Sequence, residues 1–160
     1  PVMFLEHKAL YGVSGEVPDG DYTIPFGHAR LSRAGEDLTL VATSLMVSRC
    51  EAAADALAKD GIGCDVIDLR TTSPLDEEAI LDSVEVTGRL VVVDEAPQRC
   101  SLATDISALV AQKALASLEA PMELVHAPHT AVLFAQELGG AFSPSDEKVE
   151  AAARRVLGWR

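Results

Sequence analysis

"CDVIDLRTTSPLDEEAILDSVEVTGRLVVVDE", residues 64–95, decides the fold. Its first six residues are a short apolar run carrying Val66 and Ile67, and its last seven form another around Val91, Val92 and Val93; each reads as a buried strand. Between them "SPLDEEAILDSV" sets Pro74 and then Asp76, Glu77 and Glu78 at a helix start, where carboxylates complement the dipole. Leu75, Ile80 and Leu81 supply that helix with an apolar side, and Gly88 ends it. Strand, helix and strand in this order indicate a βαβ crossover and a parallel sheet.

Working outward, "LTLVAT" (residues 38–43) and "MELVHA" (residues 122–127) repeat the strand pattern. Val47, Cys50, Ala54 and Leu57 step at i, i+3, i+7 and i+10, with Arg49, Asp55 and Lys59 elsewhere around the wheel and Gly61 as a stop. Ser101 or the residue before it opens a third helix through Ile106, Leu109 and Val110 as far as Leu118, and Pro121 prevents continuation. A fourth helix runs from Ser145 to Leu157, with Asp146 and Glu147 in its first turn. The expected architecture is α/β, a three-layer sandwich with a mainly parallel sheet and helices on both faces. There is no internal repeat and no low-complexity segment.

The first 37 residues behave differently. "PVMFLEH" (residues 1–7) has a strand-like core at residues 2–5, but the next thirty residues are rich in Gly, Pro and Asp and lack helical periodicity. A loop of that length is out of place inside a compact domain. Residues 1–37 are therefore expected to be the last strand of a preceding domain followed by an interdomain linker, with residues 38–160 as the α/β domain. The opening Pro1 fits a fragment or processed product.

With 160 residues and 48% apolar content, the chain can bury a proper core. Thirteen basic and 25 acidic residues give a formal charge of −12, which argues against nucleic acid and anionic membranes as partners. No apolar run approaches the roughly 18 residues of a spanning helix and no basic-then-apolar leader is present, so a cytoplasmic location is expected. Cys50, Cys64 and Cys100 show no CxxC spacing, which suggests reduced thiols and no zinc site.

Doubly wound sheets bind ligands beyond the carboxyl ends of their strands. Here those ends carry Thr43 and Ser44; Asp68, Leu69 and Arg70; Asp94 and Glu95; and His126 and Ala127. "ATSLMVS" follows the first of these strands where a dinucleotide fold has GxGxxG, and no P-loop occurs. Cys100, near a helix start and beside Arg99, is a candidate nucleophile with His126 or His129 as base; the competing reading is a small packing residue. His126 and His129 as HxxH have no third metal ligand nearby. His7 and His28 stand alone and carry no signal. Trp159 is either a tail anchor or a partner contact.

"PVMFLEHKALYG", "GEVPDGDYTIPFGHARLSRAGEDLTLVATSLMV", "VIDLRTTSPLDEEAILDSVEVTGRLVVVDEAPQRCS" and "APHTAVLF" together resemble the C-terminal part of the β subunit of thiamine-diphosphate-dependent 2-oxo acid dehydrogenases. These are the decarboxylating components of pyruvate, 2-oxoisovalerate (branched-chain) and acetoin dehydrogenase complexes. "EAPQRCSLATDISALV" is most similar to acetoin- and pyruvate-type subunits. The resemblance implies a transketolase C-terminal-domain-like fold and a role in assembly, with a second β subunit, α subunits and a dihydrolipoyl acyltransferase core as partners. It implies thiamine diphosphate and magnesium in the intact enzyme, and none in this stretch, because the family's catalytic and cofactor motifs match no position here; the fragment itself is expected to be inactive and dimeric. On this reading Glu95 accepts hydrogen bonds from loop or partner donors, Arg99 makes a charged contact and Cys100 packs. His129, Thr130 and Phe134 lie in the loop where many relatives read "DTPVPF", and this chain lacks both of its prolines.

Overall fold

The computed structural model describes residues 1–132 and 142–159. Strands β1 (Arg30–Arg33), β2 (Leu38–Ala42), β3 (Cys64–Asp68), β4 (Leu90–Pro97) and β5 (Glu123–Ala127) form one sheet in the order β1-β3-β2-β4-β5. β3, β2, β4 and β5 run parallel, and β1 is antiparallel to β3 at one edge. The helices are α1 (Leu45–Ala58), α2 (Glu77–Thr87), α3 (Leu102–Lys113) and α4 (Asp146–Leu157). None of the described helices is long and apolar enough to cross a membrane.

Alternation along the parallel strands divides the core in two. Leu38, Leu40, Val66, Val91 and Val93 point to one face, where Met46, Cys50 and Leu57 of α1 and Val149, Ala152 and Val156 of α4 cover them. Val41, Ile67 and Val92 point to the other face, against Ile80 and Val84 of α2 and Ile106 and Val110 of α3. Because both faces are covered, the strands read as continuous apolar runs. The result is the three-layer α/β sandwich expected from the alternation.

Each helix boundary has a local cause. Asp76 caps α2 by accepting from the Ala79 amide at 3.2 Å, and its other oxygen accepts from Ala29 at 2.7 Å, pinning the incoming segment to the same cap. Gly88 closes α2 with φ +64, and a Cβ there would lie 2.8 Å from Glu119 Cγ. Ser101 and Ser145 cap α3 and α4. The third helix is shorter than its apolar pattern: α3 ends at Lys113, and a 3-10 turn, Leu115–Ser117, follows.

β1 is the element that patterning does not reveal. "RLSR" has no apolar run, and it joins the sheet through β3 with a register shift between Leu31 and Arg33. It lies within the stretch read as linker, so the final part of that stretch contributes a strand to the α/β sheet.

One polar chain crosses the apolar interior between β2, β3 and α2. Ser83 Oγ donates to Asp65 at 2.5 Å, Thr39 Oγ1 lies 2.7 Å from both Ser83 Oγ and Thr87 Oγ1, and Asp65 also accepts from the Gly35 amide at 2.8 Å. All four side chains are buried.

Candidate functional site

The chain leaves β2 toward β3 on one side and leaves its neighbour β4 toward β5 on the other, so the topological switch point lies beyond the ends of β2 and β4. The crevice there, between Thr43, Leu69, Asp94, Leu102 and Ile106, holds about 10 Å³. That is at the lower limit for a single water. A small-molecule site of the usual doubly wound kind is closed by packing.

The same edge gathers unusual backbone. Ser44, Arg70 and Cys100 have φ of 53, 56 and 57, so the chain leaves three of the strands through left-handed residues that are not glycine. Such conformations cost roughly 1–3 kcal/mol each and persist where the surroundings over-determine them. Asp68 does this for Arg70, accepting from its amide at 3.2 Å. Near the end of β4, one Asp94 oxygen accepts from Ala96 at 2.9 Å and the other faces the Ala103 amide at 3.4 Å, in the first turn of α3. Asp94 is thereby committed to backbone structure.

Glu95 points elsewhere. Its carboxylate lies 3.1 Å from His7 Nε2 and 3.5 Å from Ser143 Oγ. Arg99 is exposed and makes no ion pair among the described residues, so the charged contact expected of it is not formed among them. Cys100 is exposed as well. The expectation that it packs fails because its left-handed turn directs the neighbouring Ser101, 2% exposed, inward. His129 and Thr130 are exposed beyond β5, and Phe134 lies outside the described residues.

A thiol–imidazole pair is not assembled. No described histidine hydrogen-bonds Cys100, and both ring nitrogens of His126 are buried without a partner among the described residues. Burial pushes the Cys64 thiol up to about 11 and raises Cys50 further. Neither can supply thiolate near neutrality. Among the described residues no three His, Cys, Asp or Glu side chains converge as metal ligands. With the switch-point crevice filled, the described residues around it do not fit a magnesium–diphosphate group.

The comparisons with known proteins fall on this architecture. Residues 27–149 match the model of the transketolase C-terminal domain. The chain belongs to that family. The β subunit of acetoin:2,6-dichlorophenolindophenol oxidoreductase from Cupriavidus necator is 54% identical over 157 residues, covering 98% of this chain and 46% of that relative. Pyruvate dehydrogenase E1 component subunit beta from Bacillus subtilis is 44% identical, covering 98% of this chain and 48% of that relative. The chain thus spans about half the length of the curated relatives it matches. A split-gene transketolase, solved as an inactive β4 tetramer, superposes with a TM-score of 0.73 at 23% identity, covering 91% of this chain and 46% of that one. At that identity the likeness shows the fold. The thiol-enzyme alternative has no relative to support it, whereas the β-subunit resemblance extends over nearly the whole chain.

His7 and Ser143 are the partners of Glu95 that sequence reasoning missed. The signal for His7 was its place at the end of "VMFLEH", two residues past an apolar run.

Proposed function

We propose that this chain is the C-terminal part of the β subunit of a thiamine-diphosphate-dependent 2-oxo acid or acetoin dehydrogenase, and that its contribution to the enzyme is assembly. The observation that carries this is the segment at residues 2–5. Val2, Met3, Phe4 and Leu5 are 84–92% exposed, an apolar run bare on both faces. An apolar run of that type suits a strand inside a sheet covered on both sides. Residues 1–37 are accordingly the last strand of a preceding domain and the linker that follows, the linker ending in β1, and residues 38–160 are the α/β domain.

The intact enzyme would oxidatively decarboxylate pyruvate, 2-oxoisovalerate or a related 2-oxo acid, or cleave acetoin, and pass the acyl group to a lipoyl arm. Thiamine diphosphate, with magnesium on its diphosphate, would be held by parts of the enzyme outside this chain. The exposed Arg99, Cys100, His129 and Thr130 at the carboxyl edge, together with Phe134 and with Glu95 at the rim, are proposed contacts for a second β subunit and the α subunits. A dihydrolipoyl acyltransferase core would dock on the assembled particle in the cytoplasm. The net charge of −12 suits a basic partner.

Two measurements test this. Titration calorimetry of the chain with thiamine diphosphate and magnesium should show no binding, and micromolar affinity would overturn the assignment. In the full-length subunit co-expressed with its α partner, Arg99→Glu should shift the assembly to smaller species by light scattering; an unchanged mass would remove Arg99 from the interface.

A further inference from the structure

From residue 1 to residue 26, a single pair of side chains makes a hydrogen bond or ion pair to the α/β domain among the described residues, and it is His7 with Glu95. The other hydrogen bonds of that stretch are local, within the 3-10 turn Lys8–Leu10 and its flanks.

The ring of His7 is used at both nitrogens. Nδ1 accepts the Ala9 amide at 3.2 Å and so caps the turn. A ring nitrogen that accepts carries no proton, so the hydrogen of the neutral imidazole sits on Nε2. Nε2 is the atom 3.1 Å from one Glu95 oxygen and 3.4 Å from the other. The turn that follows the apolar run therefore fixes the tautomer that can donate to the end of β4. Ser143 Oγ, 3.5 Å from Glu95 Oε1, steadies the acceptor from the approach to α4.

We infer that His7 and Glu95 form an interdomain latch, in which the capped turn after the preceding domain's last strand donates a hydrogen bond to the carboxyl end of β4 and sets how the two sheets face each other. This rests on the reading of residues 1–7 as that strand. It also changes the part played by Glu95, whose carboxylate serves a contact within the subunit as well as bordering a contact between subunits.

The test is amide hydrogen exchange by mass spectrometry on the full-length subunit in its assembly with the α partner. Glu95→Ala removes the acceptor, whereas Glu95→Gln keeps a carbonyl oxygen in its place. His7→Asn places its oxygen where Nδ1 stands and keeps the cap without reaching Glu95; His7→Gln places its amide where Nε2 stands. Glu95→Ala and His7→Asn should speed exchange over residues 2–11 about tenfold, with β2 to β4 unchanged, while Glu95→Gln and His7→Gln stay within about twofold of the parent. Exchange over residues 2–11 that ignores His7→Asn overturns the latch, and because His7 lies outside the core this arm survives a Glu95→Ala variant that does not fold. Equal loosening by His7→Asn and His7→Gln overturns the tautomer assignment on which the latch depends. If residues 2–5 exchange freely in the parent subunit, the preceding-domain reading fails and the latch with it; if they are protected and insensitive to every variant, the latch alone fails.

Discussion

Replacing Ser83 with alanine should destabilise the domain by about 2–3 kcal/mol, and the figure follows from the direction of the buried hydroxyl chain. Ser83 spends its one proton on Asp65 and must accept from Thr39. Thr39, having donated, accepts in turn from Thr87. The protons therefore run one way, from α2 through β2 and back to α2, and end on a carboxylate of β3. Ser83→Ala removes a hydrogen bond to a charged acceptor, about 1.5–3 kcal/mol, and a neutral one, about 0.5–1.5 kcal/mol. A cavity of about 300 Å³ borders Asp65 and Ser83 and lets water recover part of this, which leaves the lower half of the sum. Thr39→Val should cost only about 1 kcal/mol, because Thr87 can turn its hydroxyl to the Arg89 carbonyl 3.1 Å away. Urea unfolding followed by circular dichroism measures both, and the Ser83→Ala midpoint temperature should fall by roughly 4–12 °C. The double variant should fall short of additivity by at least about 0.5 kcal/mol. A Ser83→Ala cost below about 0.5 kcal/mol, or strict additivity, would refute the one-way chain.

Iodoacetamide at pH 8 should label Cys100 in the folded chain and leave Cys50 and Cys64 untouched until urea is added, as read by peptide mass spectrometry; early labelling of Cys64 would contradict its burial. Gly88→Ala should destabilise by about 1–2 kcal/mol in thermal unfolding, since alanine is strained at φ +64 and its Cβ would press on Glu119. Stability should fall on the alkaline side. Burial raises Cys64 from 9.0 to about 11, so between those values the unfolded chain has lost a proton that the folded chain keeps. Each such thiol then takes about 1.4 kcal/mol per pH unit from the fold, and Cys64→Ala should make the urea midpoint visibly less pH-dependent over that window.

The parallel strands and their helices were legible because burial on both faces leaves no charged residue to interrupt the runs at residues 38–42 and 90–93, and because Asp76, Gly88, Ser101 and Ser145 mark helix ends by local chemistry. β1 was not legible. Its residues are half-exposed and carry two arginines, and only the facing edge of β3 makes them a strand. At the carboxyl edge, the charged residues at strand ends could be picked out from the sequence, but their uses could not. Asp94 and Glu95 are adjacent and chemically alike, yet one holds the backbone of its own turn and the other meets a histidine 88 positions away. Cys100 looked like a packing residue because small apolar side chains usually are, and a left-handed φ is not written in residue type.

β1 has a further consequence for the solution behaviour of the domain. An open strand invites other chains to template on its free main-chain groups, the first step toward fibrils. At this margin the template is four residues long, runs against its neighbours, slips register midway and begins and ends in arginine. Copies of the protein crowded together are thereby discouraged from zipping up along that side.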